Sequence, residues 1–240
     1  MRIVRTASRL MAPTPPTDRE VCDDIESPTA TGNLAWRPST LRRLRDRRVV
    51  VTSRTTRVYL ARHGRTALNA EDRLRGLSDP PLDQVGRAEV QRLAAALASL
   101  NPTTVISSPL QRSVATAQAI ATAAQVGSTV DLRLNDRDYG PQTGQPRREV
   151  EARYGSVDAA PGVEPLEALA RRARAAFDGL VSESDDGPLV LVSHDAFNRA
   201  LLGTIDPELA HVSQRTACWN QLSLHKGHWQ VDLYDQKPSE

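Results

Sequence analysis

Four consecutive apolar residues, Leu189-Val190-Leu191-Val192, stand between Gly187-Pro188 and Ser193. A strand with one face in water alternates apolar and polar side chains. An unbroken run this short, bounded by turn residues, fits a strand buried on both faces. Such a strand needs cover above and below, so the chain must supply helices for two layers. The surrounding sequence supplies them in alternation with further strands. Val58-Tyr59-Leu60 is a β-favouring run leading into Arg62-His63-Gly64. Asp83 has the chemistry of a helix cap, and Val90, Leu93, Leu97 and Leu100 follow at helical spacing. Thr103–Ile106 reads as a second strand, Leu110–Ala124 as a second helix and Ser128–Leu132 as a third strand. Residues 140–163 are rich in Pro and Gly and read as loop. A long helix is predicted from Pro165 to Val181, and a terminal hairpin pairs Cys218–His225 with His228–Tyr234 across Lys226-Gly227. The expected fold class is α/β: a three-layer α/β/α sandwich on a mostly parallel central sheet.

Charge divides the chain. Residues 1–55 carry 11 Arg and 6 acidic residues, whereas the remainder carries 20 basic and 23 acidic groups. The first segment is also rich in Pro, Ser and Thr, too poor in apolar residues to offset its ordering entropy. It reads as a disordered basic extension, with one short helix conceivable from Thr40 around Leu41 and Leu44. Trp36 is its only aromatic residue, so no series of rings interleaves with its arginines for base stacking, and it does not point to nucleic acid. The expected organisation is an extension over 1–55, a catalytic domain over 56–235 and a tail over 236–240. No stretch approaches the roughly 20 apolar residues of a membrane span. Cys22 and Cys218 are the only thiols, which excludes a disulfide scaffold and suggests a reducing cytoplasm.

In an open α/β sheet, ligands bind beyond the carboxyl ends of the strands. Arg62 and His63 follow the first strand, Ser107 and Ser108 the second, and His194 the apolar one, while Arg112 begins the helix after the second. Arginine offers phosphate oxygens a planar fork of donors that stays charged. A neutral imidazole held at one nitrogen can attack phosphorus with the other, and a second histidine can stabilise the transition state. Two arginines and two histidines at one sheet edge therefore describe a phosphate site.

These residues resemble the histidine phosphatase superfamily, also called phosphoglycerate mutase-like, in its first branch. Leu60-Ala61-Arg62-His63-Gly64-Arg65-Thr66 with Asn69 is similar to the family's opening block. Gly76, Asp79-Pro80-Pro81-Leu82 and Gly86 resemble the loop into the first helix. Ser107-Ser108-Pro109-Leu110-Gln111-Arg112 with Thr116 and Ala117 resembles the second block, and Val192-Ser193-His194 the last. The resemblance covers 57–202 and not 1–55. It implies His63 as the nucleophile, passing through a phosphohistidine. It also implies Arg62, Arg112 and His194 as clamps on the phosphoryl oxygens, with Asn69 assisting, and neither metal nor cofactor.

Two acids compete for the proton-donor role. The family's donor stretch reads here Leu134-Asn135-Asp136-Arg137-Asp138-Tyr139-Gly140, with Asp136 where a glutamate is usual. Asp195 directly follows His194, as the donor aspartate does in the family's second branch. The opening block with Thr66 and Asn69 is first-branch in type, which favours Asp136. Arg75 stands where glutamine is frequent and could add positive potential at the pocket mouth. Arg147 and Arg148 serve equally as binders of an acidic substrate or as a solvated helix start. His225 and His228 flank a turn without acids or cysteines at ligand spacing and read as exposed strand residues.

Only 57 residues lie between Asp136 and His194, too few for the long cap insertion of the family's mutases. The expected function is hydrolysis of a small phosphorylated metabolite. Mutase-type phosphoryl transfer and a non-catalytic phospho-ligand module are the alternatives. The expected partner is a small phosphorylated substrate, with no metal and no membrane, and a homodimer is admitted.

Overall fold

The computed structural model describes residues 55–239. The basic segment before them, including Cys22 and the helix considered from Thr40, lies outside the described residues. Six strands form one sheet: β1 (Arg57–Arg62), β2 (Thr104–Ser107), β3 (Ser128–Val130), β4 (Leu189–Ser193), β5 (Trp219–His225) and β6 (His228–Gln236). Their spatial order is β3-β2-β4-β1-β5-β6. The apolar run is the third strand of that order, and all five residues of β4 are buried. β1, β2 and β3 run parallel to their neighbours around β4, and the terminal hairpin joins β1 antiparallel.

Alternation along β1 and β4 splits the core in two. Val58, Leu60, Leu189 and Leu191 face one way, against Leu169, Ala173, Phe177 and Leu180 of α5 (Leu166–Glu183) and Phe197, Leu201 and Leu202 of α6 (Asp195–Gly203). Tyr59, Ala61, Val190 and Val192 face the other way. There they meet Leu93 and Leu97 of α2 (Gln84–Ala98) and Ala117, Ile120 and Ala121 of α3 (Gln111–Ala124). Each fully buried Leu, Ile, Val or Phe contributes about 1.5–3 kcal/mol. These two layers therefore hold the sheet and fix its carboxyl edge. Among the described residues no helix is long and apolar enough to cross a membrane.

Local chemistry sets the helix ends. Asp83 Oδ1 accepts from Gly86 N at 2.7 Å and caps α2 as expected. Three elements differ from expectation. The third strand stops at Val130, because Asp131 Oδ1 accepts from Arg133 N at 2.8 Å and turns Leu132–Leu134 into a short 3₁₀ helix. The Pro/Gly-rich stretch contains α4 (Arg147–Tyr154), where Val150 is the one buried residue and no apolar stripe announces a helix. The sequence reading assigned no element to α6, whose nine residues immediately follow His194.

A satellite cluster of Leu74, Tyr139, Val150, Val157 and Ala160 anchors the 140–163 region over the sheet edge. Backbone bonds from Leu74 N to Gln145 O (2.9 Å), Gly144 N to Leu74 O (2.7 Å) and Arg147 N to Asp72 O (3.0 Å) stitch that region to residues 72–74. The stitching delivers the start of α4 to the mouth of the site.

Candidate active site

Register brings the two histidines together. Ala61 pairs with Val192 and Arg62 with Ser193, so His63 and His194 each stand one residue past the same rung of parallel ladder. Their ring centroids are 5.1 Å apart, and both side chains are buried. His63 N donates to Ser193 O at 3.1 Å, and Ala217 N donates to His63 O at 3.0 Å. The backbone after His63 lies directly on α2. A Cβ on Gly64 would stand 2.6 Å from Val90 Cγ2 and 2.7 Å from Gly86 O, and one on Gly86 would strike the carbonyl of Arg65. Both glycines are there because two backbones touch.

His63 Nδ1 lies 2.7 Å from Gly64 O. A carbonyl only accepts, so Nδ1 carries the proton and the lone pair belongs to Nε2. Arg112 Nε donates to that lone pair at 3.2 Å. Burial pushes the His63 pKa well below 6.5, and Arg112, His194, Arg62 and Arg75 push the same way. The imidazole is thus neutral, with Nε2 as a free base. His194 is held by Ser108 Oγ at 2.7 Å and Ser113 Oγ at 3.4 Å, both on Nε2. Its Nδ1 is buried without a hydrogen-bond partner and lies 3.8 Å from Asp136 Oδ2. Burial first, then Arg112, Arg75 and Arg62, lowers its pKa well below 6.5 as well.

Arg112 is fully buried and largely committed to the protein. Beyond its bond to His63, Nη1 donates to Ser78 O (2.7 Å), and Nη2 to Gly76 O (2.9 Å) and Asp136 Oδ2 (3.3 Å). Of its bonds, those to His63 and Asp136 are the ones a phosphoryl oxygen could replace. Arg62 is buried too; it donates to Gln214 O through Nη1, and its Nε has no partner. Asn69 closes a capping box with Thr66: its Oδ1 accepts from Thr66 N at 3.0 Å and from Thr66 Oγ1 at 2.8 Å. The box turns the chain into α1 (Ala67–Ala70) and sets Asn69 beside Arg62 on the wall of a cavity of about 320 Å³.

The two candidate acids have opposite electrostatics. Asp136 is buried, and desolvation raises its pKa above 3.8 against the opposing pull of Arg112, Arg75 and the Arg137 N–H. Burial also pushes Asp195 upward. There the Arg62 and Arg199 charges and the Gln214 N–H outweigh it, and the net shift is down from 3.8. Asp195 Oδ1 accepts from Gln214 N at 3.0 Å and lies 3.8 Å from Arg62 Nη1, while Oδ2 accepts from Arg199 Nε at 3.2 Å. The arginines thus draw Asp195 toward its ionised form, whereas burial draws Asp136 toward its neutral one.

The structure brings Arg62, His63, Thr66, Asn69, Arg75, Arg112, Asp136, His194 and Asp195 together at one edge. Arg147 lines the cavity mouth, and Arg148 turns to a separate hollow beside Glu71 and Arg73. His225 and His228 are exposed. Among the described residues no three His, Cys, Asp or Glu side chains are grouped so as to hold a metal ion. Arg199, Gln214 and Glu89 also serve the site and were not singled out. Glu89 Oε2 accepts from Arg65 N at 3.0 Å, two residues past His63. A helix after His194 would have revealed Arg199, which lies four residues beyond Asp195 and therefore on the same face.

Residues 58–237 match the histidine phosphatase superfamily (branch 1) as a family. A Bacillus subtilis (strain 168) relative called an uncharacterised phosphatase, PhoE, is 27% identical over 183 residues, 75% of this chain and 94% of its own length. A Salmonella typhi relative called a probable phosphoglycerate mutase, GpmB, is 34% identical over 161 residues, 62% of this chain and 74% of its own. Among solved structures, a mycobacterial glucosyl-3-phosphoglycerate phosphatase in complex with VO3 superposes with a TM-score of 0.70 at 27% identity. The superposition covers 76% of this chain and all of that one.

Proposed function

The chain belongs to branch 1 of the histidine phosphatase superfamily, and on that premise we propose that it hydrolyses phosphomonoesters through a phosphohistidine at His63 Nε2. The observation that carries the reading is the pairing of a neutral His63, its Nδ1 proton fixed on Gly64 O, with an Asp136 whose buried carboxyl favours protonation. One is a ready nucleophile and the other a ready acid, and Arg112 touches both.

The Nε2 lone pair attacks phosphorus in line with the ester oxygen. The P–O bond to the alcohol breaks, and the departing oxygen takes the Asp136 proton. The imidazole becomes positively charged on phosphorylation, and Gly64 O stabilises the Nδ1–H of that cation. Water then attacks phosphorus from the vacated side and gives its proton to the Asp136 carboxylate. The P–N bond breaks, inorganic phosphate leaves, and His63 and Asp136 return to their starting forms. Arg62 Nε and His194 Nδ1, buried polar atoms without protein partners, suit equatorial phosphoryl oxygens. Arg112 joins them by exchanging its bond to His63. Electrostatic clamps of this kind are worth about 2.7–4 kcal/mol each in comparable sites. No step calls for a metal. Asp195 acts through the two arginines it holds, and so is a positioning residue.

The PhoE and glucosyl-3-phosphoglycerate phosphatase names support hydrolysis. The GpmB name keeps a hydroxyl acceptor in view, and the short connection between Asp136 and His194 favours water. The free thiol of the buried Cys218 fits a reducing, cytoplasmic setting. The test is hydrolysis of p-nitrophenyl phosphate in excess EDTA by the wild-type chain and by His63→Ala. Turnover should persist with the chelator and vanish in the variant, and mass spectrometry of a rapidly quenched reaction should find phosphate on His63. Turnover that survives His63→Ala would sink the assignment.

A further inference from the structure

The support of Arg62 comes from a segment remote in sequence. Among the described residues, its guanidinium rests on Gln214 O through Nη1 and on Asp195 Oδ1 at 3.8 Å. Asp195 Oδ1 in turn accepts from Gln214 N at 3.0 Å. One residue therefore governs both supports, the first with its carbonyl and the second with its N–H. The strap that carries Gln214 runs on along the site: Ala217 N donates to His63 O at 3.0 Å, and Arg62 N donates to Cys218 O at 2.9 Å. The Gln214 side chain is locked by a chain of buried amides. Asn198 Nδ2 donates to Gln214 Oε1 at 3.1 Å, Gln214 Nε2 to Asn220 Oδ1 at 3.2 Å, and Asn220 Nδ2 to Leu60 O at 2.9 Å. That chain begins on α6, where Asn198 N donates to His194 O at 2.8 Å, and ends on β1 just before Arg62. Asn198 Oδ1 is buried without a partner, which lowers stability rather than raising it. What the Asn198 amide secures is the place of Gln214.

We propose that Gln214 is a positioning residue for the phosphoryl clamp: its main chain aims the Arg62 guanidinium, directly and through Asp195, and the amides of Asn198 and Asn220 hold it in place. A guanidinium is planar and rigid, so holding Nη1 also fixes the direction of the Nε–H. Arg62 Nε is buried and has no protein partner, so that direction is what a bound oxyanion meets. The backbone of Arg62 is set by β1, but the far end of so long a side chain is free to turn unless something holds it. Misplacement of a positioning group by about 1 Å can cost about 10²-fold in rate. The proposal rests on the phosphatase reading only in taking a phosphoryl group as what Arg62 meets.

Gln214→Met keeps the length of the side chain and removes its bonds to both asparagines, and Asn198→Ala removes one of them from the α6 side. Each is combined with Arg62→Ala in a double-mutant cycle on the full-length chain. The cycle is read in kcat/KM for p-nitrophenyl phosphate and in the calorimetric Kd of inorganic phosphate. With Arg62 present, Gln214→Met should lower kcat/KM and weaken phosphate by at least about tenfold, and Asn198→Ala should act in the same direction. With Arg62 removed, neither substitution should change either quantity by more than about twofold. A merely structural loss would be equally large in both backgrounds, and that outcome would overturn the proposal. So would a Gln214→Met chain with unaltered kcat/KM and Kd. If urea melts show that Gln214→Met does not fold, the Asn198→Ala cycle decides by the same comparison. Phosphate binding without His63-dependent turnover would sink the phosphatase reading and leave the Kd cycle to judge Gln214. Turnover that depends on His63 but is indifferent to Gln214 would do the reverse. A wild type that neither binds phosphate nor turns over the ester would remove the clamp, and the role of Gln214 with it.

Discussion

Asp136 and Asp195 show how neighbours divide one side-chain chemistry into two tasks. Both are largely out of water, and burial alone would protonate both. Asp195 escapes because Arg62 and Arg199 bracket it and Gln214 N bonds it. Asp136 has Arg112 at 3.3 Å, but that guanidinium is shared among His63, Ser78 O and Gly76 O, and desolvation prevails. A proton donor must hold its proton more tightly than an ordinary carboxyl, and of the two only Asp136 is shifted in that direction. Asp136→Asn should therefore lower turnover of alkyl phosphates by about 10²–10⁴-fold and that of p-nitrophenyl phosphate far less, since a good leaving group needs little protonation. Asp195→Asn should raise KM for both esters to a similar extent, as Arg62 and Arg199 lose their anchor. Steady-state kinetics on the ester pair separates the two. Equal losses in Asp136→Asn, or a leaving-group dependence in Asp195→Asn, would reverse the roles.

At the scale of elements, the site exists because the ends of β1 and β4 lie level and α2 supports the loop after His63 without an intervening side chain. Gly86→Ala would place a methyl group 2.0 Å from the Arg65 carbonyl oxygen, so one of the two backbones must shift. Overpacking of this kind costs about 1–3 kcal/mol. Because His63 sits two residues from the collision, turnover of p-nitrophenyl phosphate should drop at least about tenfold. Urea melts and initial rates measure the two effects, and an unchanged rate would show that the loop does not depend on this contact. The residues legible in advance were those set by a strand end or a cap: Arg62, His63, His194 and Asp83 each follow from an apolar run or a turn signal beside them. What escaped depended on contacts remote in sequence. In α4 seven of eight residues avoid full burial, so no periodicity marks it, and the placement of Arg147 comes from its backbone bond to Asp72. α6 is nine residues long, and without it the pairing of Arg199 with Asp195 had no frame. Glu89 carries a charge on the buried face of α2, where only Arg65 N, Thr216 Oγ1 and Lys237 Nζ explain it.

For the molecule as a whole, the site couples folding to protons. His63 and His194 are neutral in the fold, with pKa values well below 6.5, and would protonate once exposed. Below pH 6.5 the unfolded chain therefore binds up to two protons that the folded site refuses, and stability falls as pH falls. Asp136 works in the opposite sense. Its folded pKa lies above 3.8, so between that value and its raised pKa the folded state holds a proton the unfolded chain has released. Below pH 6.5, for as long as the folded histidines stay neutral, two imidazoles outweigh one carboxyl. Unfolding then takes up protons at this site, each worth up to about 1.4 kcal/mol per pH unit. Asp195, with its pKa lowered, adds its own loss only as pH drops below 3.8. Urea denaturation of the full-length chain between pH 7 and pH 5 should show stability declining with acidity, and His63→Ala should flatten the decline by up to one proton. Parallel slopes in the two proteins would mean that the His63 imidazole accepts protons in the fold as readily as in the open chain. A His63 of ordinary basicity would lose its Nε2 lone pair only as pH falls through about 6.5, so that result would predict turnover declining over the same range.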